Sequence, residues 1–314
     1  MKYVFGLGFA ALFLAVVCLV APSVAVAANT VDITDTHGTT AVPVRPKKIV
    51  IMDFGMLDTL DAFGSMGLLA PDMRLALPKK SLPAYLSKYK SDEYVDVGGL
   101  KDFNLETIHA FKPDLIIISG RQQDFYNELS SMAPVWQVNS IPNPYIQGTM
   151  RNIKDLGRIF DVSAETDKAL ATLSESIRET RDAALAKNLR GLILLTNDGK
   201  ISAYGSGSRF GIIHDALGVS EADSSIRVGI HGQLVNYEYI ARQNPDVIFV
   251  VDRSAAVTGK ADGVRILKND LVNGTKAAKT GKIVSLDPNV WYLSGGGLIS
   301  LRMMVDEVKT ALEK

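Results

Sequence analysis

The chain has 314 residues, and its 34 lysine and arginine side chains match its 34 aspartate and glutamate side chains, so the formal net charge is zero. This balance argues against a protein that binds nucleic acid or a charged membrane surface. The single cysteine excludes an intramolecular disulfide, so the fold depends on its hydrophobic core. The length is sufficient for a large core and favours two domains.

The first 27 residues have the features of a signal peptide and are not expected to belong to the fold. Lys2 gives a weakly positive start, residues 4–20 are almost continuously apolar, and Ala25-Val26-Ala27 fits the small-x-small pattern of a signal peptidase site. We therefore predict cleavage before Ala28 and export to a bacterial periplasm. Removal of 27 of the 314 residues leaves 287 without cysteine.

The segment is also compatible with two alternatives to a cleaved signal peptide. An uncleaved membrane anchor is one, since the apolar stretch is just long enough to span a bilayer. A lipoprotein attached at Cys18 is the other, although a small residue normally precedes a lipidated cysteine and Val17 occupies that position. The cleavage site favours secretion over both alternatives.

After a hairpin predicted over residues 31–42, short apolar segments alternate with helical stretches. The apolar segments are rich in Val, Ile and Leu and mostly lack polar alternation, which is typical of parallel strands covered by helices on both faces. The strand candidates are residues 49–52, 115–118, 192–196, 247–251 and 283–286. This order predicts an α/β fold.

The longest helical pattern covers residues 163–188, without Gly or Pro, and would be roughly 38 Å long at 1.5 Å per residue. We predict Ser163 as its N-cap, with Thr166 at the capping-box position. The helix lies between two halves of the chain and would join them as a rigid link. The predicted division is a signal peptide (1–27), an N-terminal lobe (28–160), a linking helix (161–190) and a C-terminal lobe (191–314).

A pattern repeated 132 residues apart indicates that the two lobes are similar. Each copy has an Asn-x-Glu-x-(Ile) segment, beginning at Asn104 and Asn236, followed by Pro-Asp and an apolar strand. Each copy ends on an arginine in the same register, Arg121 and Arg253. The pattern predicts a short helix, a turn, a buried strand and a cation at the strand end. Two such arginines facing one cleft would indicate an anionic ligand.

Four polar segments follow predicted strands or precede helices, where open α/β sheets bind ligands. They are residues 120–122, 205–211, 229–232 and 287–297. With Arg253 they supply three arginines, whose convergence would indicate a strongly negative ligand. They also supply His231 and Tyr292, and an imidazole and a phenolate can both coordinate ferric iron. Each residue also has an ordinary structural explanation, as a solvated arginine, a helix-entry histidine or an aromatic wall.

Several of these segments resemble one known family. The similar segments are Thr196-Asn197, residues 208–215, His231-Gly232, residues 250–253 and residues 287–293. From about residue 45 to the end, the sequence resembles the periplasmic catecholate-siderophore binding proteins of iron ABC importers, of the enterobactin and vibriobactin type. The resemblance implies the class III architecture, in which two α/β lobes with mainly parallel sheets are joined by one long helix and the ligand cleft lies between them.

The resemblance also implies the function and the residues that perform it. The protein would deliver a ferric catecholate siderophore to an inner-membrane ABC permease and would catalyse no reaction. Arg121, Arg209 and Arg253 would surround the trianionic complex, and His231 and Tyr292 would coordinate iron when the siderophore leaves two positions free. No intrinsic cofactor is expected, because ferric iron would arrive inside the siderophore complex.

The same resemblance implies how the loaded protein meets its permease. One glutamate in each lobe would contact permease arginines, and the repeated motif places these at Glu106 and Glu238. A permease with two-fold symmetry needs two equivalent contacts. The binding protein itself is expected to be a monomer.

Other functions remain open at the level of the residues. Haem or another anionic metal chelate would also suit a cationic cleft, whereas three arginines disfavour cobalamin. A zinc or manganese site needs several converging histidines, and the chain has four histidines in all. A serine hydrolase would require Ser206 or Ser208 with His231 and Asp252, but no Gly-x-Ser-x-Gly motif supports it.

Overall fold

The structure is a computed structural model that describes residues 1, 3, 29–138, 145–229 and 231–313. The predicted signal peptide, its cleavage site before Ala28 and the alternative lipidation site at Cys18 lie outside these residues. Within the described ranges, no helix combines the length and the apolar character that a membrane crossing requires.

The N-terminal lobe is an α/β unit preceded by the predicted hairpin. The hairpin is antiparallel, with β1 (Thr30–Asp35) paired to β2 (Gly38–Pro43). All five strands of the following sheet are parallel, in the order β5-β4-β3-β6-β7. They are β3 (Lys48–Ile51), β4 (Arg74–Leu77), β5 (Val95–Asp96), β6 (Leu115–Ile118) and β7 (Val135–Gln137). The helices are α1 (Phe54–Ser65), α2 (Leu105–Phe111), α3 (Tyr126–Ser130) and α4 (Tyr145–Ile159).

The C-terminal lobe contains a mixed sheet in the order β11-β9-β8-β12-β13, with β10 beside β8. Strands β10, β8, β12 and β13 are parallel, while β9 and β11 are added antiparallel. The strands are β8 (Arg190–Asn197), β9 (Lys200–Tyr204), β10 (Ser220–Glu221), β11 (Gln233–Val235), β12 (Val247–Asp252) and β13 (Ile283–Leu286). The helices are α6 (Ile212–Asp215), α7 (Tyr237–Gln243), α8 (Arg253–Thr258), α9 (Gly263–Ile266), α10 (Asp270–Asn273) and α11 (Lys276–Lys279). The predicted two-lobed α/β fold is confirmed.

The repeated sequence forms the same local structure in both lobes. The side chains of Asn104 and Asn236 cap α2 and α7 by accepting hydrogen bonds at 2.9 Å from the backbone N–H three residues later. After each helix, Asp114 or Asp246 accepts a hydrogen bond from the backbone at the start of the neighbouring strand, β3 or β8. Strands β6 and β12 follow and are buried over their whole length. Arg121 and Arg253 therefore follow the carboxyl ends of equivalent interior strands.

The linking helix α5 (Ser163–Lys187) has the predicted extent, but the predicted cap is wrong. Ser163 is the first helical residue, and the capping position belongs to Val162, whose side chain cannot accept a hydrogen bond. The Thr166 hydroxyl donates instead to the Val162 carbonyl at 2.8 Å. Thr166 is thereby committed to the helix backbone and does not form the capping box.

The last helix, α12 (Leu298–Glu313), packs against α5 and against α1 of the N-terminal lobe. Its first turn rests on the buried carboxylate of Asp58 in α1, which accepts hydrogen bonds from the backbone N–H groups of Ile299 and Ser300 at 3.1 and 3.0 Å. A negative charge is favourable at a helix N-terminus. The predicted C-terminal lobe (191–314) includes α12, but this helix also packs on the N-terminal lobe. The predicted domain limits therefore remain a prediction from the sequence.

The Asp58 contact predicts a specific pH dependence of stability. Burial raises the pKa of the Asp58 carboxyl to about 7, although hydrogen bonds from Ser300, Tyr85 and Ile299 oppose the shift. Between about pH 4 and about pH 7 the folded chain then binds more protons than the unfolded chain, so the free energy of unfolding falls as pH rises. Asp58→Asn should remove this part of the slope in urea denaturation at several pH values. An identical slope in the variant and the wild type would contradict the assignment.

Candidate ligand-binding site

A cavity of about 740 Å³ opens between the lobes, with both contributing to its wall. The N-terminal lobe contributes residues 80–82, residues 100–102 and Arg121. The C-terminal lobe contributes Arg253, residues 255–259 of helix α8 and the C-cap after it, and four residues of the last loop, which are Pro288, Asn289, Tyr292 and Leu293. The cavity therefore lies where the carboxyl ends of β6 and β12 face each other, as expected for a ligand site in α/β lobes.

Arg121 is held by the turn that follows β6. The Ser119 side chain accepts a hydrogen bond from the Arg121 N–H at 3.3 Å, and the buried Gln122 amide donates to the Leu100 carbonyl at 2.6 Å. The backbone on both sides of the arginine is thus fixed to the lobe. Its guanidinium Nη2 donates across the cleft to the backbone carbonyl of Tyr292 at 3.0 Å.

Arg209 lies on the glycine-rich loop of residues 205–211. Asp215 accepts hydrogen bonds from the Gly207 N–H at 2.9 Å and from the Ser206 hydroxyl, and Glu221 accepts one from the Ser206 N–H at 2.7 Å. These two carboxylates occupy backbone donors that a phosphate-binding loop would offer to its ligand. The loop therefore serves here to hold Arg209 rather than to cradle an anion.

The Arg209 guanidinium points toward the same tyrosine. Its Nη2 donates to the Tyr292 carbonyl at 2.9 Å, and its central carbon lies 4.6 Å from the centroid of the Tyr292 ring. Burial lowers the pKa of Arg209, and the neighbouring positive charge of Arg121 lowers it further. Both causes show that the unliganded site makes this cation less favourable than it would be in water.

Arg253 is the first residue of α8 and is placed by Asp252. The Asp252 carboxylate caps α8 by accepting from the Ala255 N–H at 3.0 Å, and its other oxygen accepts from the Gly263 N–H at 2.7 Å. Arg253 donates from Nη1 to the Asn197 side chain and from Nε to the Tyr292 hydroxyl, both at 2.7 Å. Asn197 was not predicted as a site residue, although it stands at the end of β8.

Tyr292 is the common contact of all three arginines. Its carbonyl accepts from Arg121 and Arg209, and its hydroxyl accepts from Arg253, so it joins cations from both lobes. It lies in a π-helical turn, Asn289–Ser294, a distortion that often marks functional sites. Three cations around one uncharged residue make a site suited to an anion that carries several negative charges.

His231 is brought near this cluster but not into it. It is exposed in a turn just before β11, and Gly232 next to it packs closely on the Tyr204 ring. Within the described ranges, no hydrogen bond or ring contact joins His231 to Tyr292 or to the three arginines. The hydrolase hypothesis also gains no support, since Ser206 donates to Asp215 and the buried Ser208 hydroxyl has no hydrogen-bond partner among the described residues.

Lys80 and Lys101 at the N-terminal wall of the cavity were missed by the sequence analysis. Lys80 pairs with Asp102 at 3.2 Å, whereas Lys101 has no ion pair in the described part of the chain. Both lie outside any motif, so only the tertiary structure shows that they add positive charge to the cavity. The two predicted docking residues, Glu106 and Glu238, are exposed in the first turns of α2 and α7.

A comparison with known families identifies the kind of protein that carries this site. Residues 73–290 match the family described as periplasmic binding protein. The chain belongs to this family. The prediction that it is a binding protein and not an enzyme is confirmed by this membership.

Individual members of the periplasmic binding protein family are also similar over nearly their whole length. The petrobactin-binding protein YclQ of Bacillus subtilis is 44% identical over 280 residues, which cover 89% of this chain and 86% of YclQ. The crystal structure of YclQ has a TM-score of 0.87 and covers 91% of this chain and 99% of the YclQ chain, at 42% identity. The catecholate-siderophore binding protein VctP of Vibrio cholerae has a TM-score of 0.82 at 30% identity, with 90% of this chain and 100% of VctP covered.

The repulsion between Arg209 and Arg121 is expected to lower the free energy of unfolding of the protein in the absence of a ligand. Arg209→Met removes a partly buried charge that Arg121 repels and keeps an apolar side chain against Tyr292, so it should raise the free energy of unfolding by about 1 kcal/mol. The gain should be larger at low ionic strength, where the repulsion is less screened. Thermal unfolding at two salt concentrations measures it. Arg181→Met is the control, because Arg181 also donates to a carbonyl, that of Asp215, but is exposed and, among the described residues, forms no hydrogen bond or ring contact with Tyr292. A lower melting temperature of Arg209→Met at low salt would contradict the prediction.

Proposed function

We propose that this protein captures a ferric catecholate siderophore in the cleft and delivers it to an inner-membrane ABC permease for iron uptake. The observation that carries the proposal is the convergence of Arg121, Arg209 and Arg253 on Tyr292 beside a cavity of about 740 Å³. Similarity to a petrobactin-binding protein and to a catecholate-siderophore binding protein supports a siderophore as the ligand. Ferric iron is the cargo and arrives inside the complex.

The charge of such a complex fits the charge of the cleft. Three catecholate dianions around one ferric ion leave a net charge of about −3, which three guanidinium groups match by forked, charge-assisted hydrogen bonds. In the structure these donors are directed to the carbonyl and hydroxyl of Tyr292. The ligand would replace these weak neutral acceptors with charged oxygens. Its negative charge would also offset the repulsion among the arginines, which favours binding.

A siderophore with only four donor atoms leaves two positions on iron open. We propose that the Tyr292 phenolate and His231 fill them. The Tyr292 hydroxyl already lies at the cavity, where it accepts from Arg253. His231 is exposed and forms no hydrogen bond or ring contact with Tyr292 among the described residues, so this role requires its turn to move toward the cleft when such a ligand binds.

Two substitutions distinguish anion binding from iron coordination. Arg209→Ala should weaken both tetradentate and hexadentate ferric complexes by about 10-fold to 100-fold, because a charge-assisted hydrogen bond contributes roughly 1.5–3 kcal/mol. Tyr292→Phe should weaken tetradentate complexes much more than hexadentate ones and should change their charge-transfer spectrum. Fluorescence titration and visible absorption measure both effects. Equal losses for the two ligand types on Tyr292→Phe would show that Tyr292 does not bind iron.

Delivery requires a contact with the permease, and we propose that Glu106 and Glu238 form it. They occupy equivalent positions in the repeated motif, one in each lobe, and both are exposed. An acidic residue in the first turn of a helix is also favourable for the helix itself. Exposure alone does not separate the two roles, so transport has to be measured.

The docking proposal predicts loss of transport without loss of binding. Replacing both Glu106 and Glu238 with Ala should abolish siderophore-dependent iron uptake in cells, while the affinity of the purified protein for the ferric complex stays unchanged. Glu165→Ala is a matched control, because Glu165 is an exposed glutamate in the first turn of α5. Normal uptake by the double variant would rule out the docking assignment.

A further inference from the structure

We propose that a hydrogen-bond chain of Asp58, Tyr85 and Ser294 positions the π-helical turn that presents Tyr292 to the ligand. Asp58 and Tyr85 belong to the N-terminal lobe, whereas Ser294 is the last residue of the turn. The inference rests on the proposed function in one respect, which is that Tyr292 contacts the ligand. It assigns three residues outside the predicted site to the orientation of that tyrosine.

The hydrogen bonds connect Asp58, Tyr85 and Ser294 without a gap. The Tyr85 hydroxyl lies between two partners, 2.9 Å from Asp58 Oδ2 and 2.8 Å from Ser294 Oγ. Asp58 is fully buried in α1 and Ser294 is 4% exposed, whereas Tyr85 is partly buried. Tyr85 has one hydroxyl proton, which it donates to Asp58 when that group is a carboxylate and to Ser294 when Asp58 is protonated and donates to Tyr85 instead. In either case the hydroxyl is held between two groups of low exposure, and polar contacts of this kind fix the geometry of the groups that they join.

Ser294 transmits this contact to the whole turn. Its hydroxyl donates to the carbonyl of Asn289, the first residue of the π-helical turn, at 3.1 Å, and its own carbonyl accepts from the Ser300 hydroxyl at 2.9 Å. The turn is thus closed by a side chain and tied to the start of α12. Tyr292 lies within the loop that Ser294 closes, two residues before it.

The turn needs such support because three glycines follow it. Gly297 packs so closely on the first lobe that a Cβ would come within 2.0 Å of Asp58 Oδ1 and of the Gly55 carbonyl. The Tyr145 hydroxyl, also from the first lobe, donates to the Gly295 carbonyl. The segment that carries Tyr292 is therefore anchored in the opposite lobe, although β13 before it belongs to the C-terminal lobe.

The consequence for the site is geometric. The Tyr292 carbonyl and hydroxyl meet three guanidinium groups at 2.7–3.0 Å, and a ligand residue has to be held within about half an ångström of its working position. A short irregular turn does not hold itself to that tolerance. Loss of the Asp58–Tyr85–Ser294 hydrogen bonds should therefore misplace Tyr292 without removing any group that touches the ligand.

The Tyr89 and Asp61 pair provides a matched control. Tyr89 lies four residues after Tyr85 in the 3₁₀-helical residues Ala84–Lys90, which are kinked at Leu86, and its hydroxyl donates to Asp61 of α1 at 2.9 Å. The Tyr89 and Asp61 pair has the same chemistry, but within the described residues it forms no hydrogen bond to residues 287–297. Tyr85→Phe and Tyr89→Phe each remove one hydroxyl bonded to a carboxylate of α1, and only Tyr85→Phe breaks the connection to the turn.

The test uses Trp291, the neighbour of Tyr292, as a reporter in the ligand-free protein. The chain has two tryptophans, so a heteronuclear NMR spectrum shows two indole N–H signals, and Trp291→Phe identifies one of them. Tyr85→Phe and Ser294→Ala should shift the Trp291 signal, whose N–H donates to Glu307 at 2.8 Å, while Tyr89→Phe should not. If Tyr85→Phe and Tyr89→Phe give the same Trp291 signal, the proposal is overturned.

Binding provides the second part of the test. Tyr85→Phe should weaken a tetradentate ferric bis-catecholate by about tenfold and reduce its charge-transfer band, with a smaller effect on a tris-catecholate. Added to Tyr292→Phe, it should cause little further loss, because Tyr85 acts through Tyr292. A full additional loss in the double variant would overturn the positioning role. If the wild-type protein binds neither complex but Tyr85→Phe still shifts the Trp291 signal, the proposed function fails while the positioning of the turn stands.

Discussion

Like charges repel, and the cleft of this protein holds three guanidinium groups around a single tyrosine. Two of them donate to one carbonyl oxygen, that of Tyr292, at 2.9 and 3.0 Å. Burial lowers the pKa of Arg209, the nearby charge of Arg121 lowers it further, and the rest of the molecule has to hold the cations in place. Most of the polar structure near the cleft follows from this requirement.

The two lobes meet the requirement by similar means. In each, a buried strand ends at an arginine whose backbone is fixed by a side-chain cap, Ser119 before Arg121 and Asp252 before Arg253. Arg209 is held in a different way, by two carboxylates that bond the backbone of its loop. Rigid support of this kind keeps the repulsion from simply pushing the arginines apart, so a multiply charged anion finds its partners preorganised.

Two connections between the lobes determine how the site can move. The helix α5 is one, and the segment from the π-helical turn to α12 is the other, since α12 packs on α1. Tyr292 lies on the second connection. The residue that the three arginines share is therefore connected to both lobes. The buried Asp58 carboxylate, at the start of α12, is part of the same connection.

The sequence by itself determined what depends on local pattern. The apolar strands and the long helix predicted over residues 163–188 follow from periodicity. The repeated Asn-x-Glu motif predicts two equivalent short helices, and the repeat placed Arg121 and Arg253 at equivalent strand ends. Only the tertiary structure decided the rest. The contact of Asp58 with Ser300 spans 242 residues, Tyr85 from the other lobe bonds Ser294 at the end of the Tyr292 turn, and Lys101 lies in no motif. The turn of His231 packs on Tyr204 through the neighbouring Gly232, a contact that no motif predicts. Such contacts arise from packing between distant segments, which local periodicity does not encode.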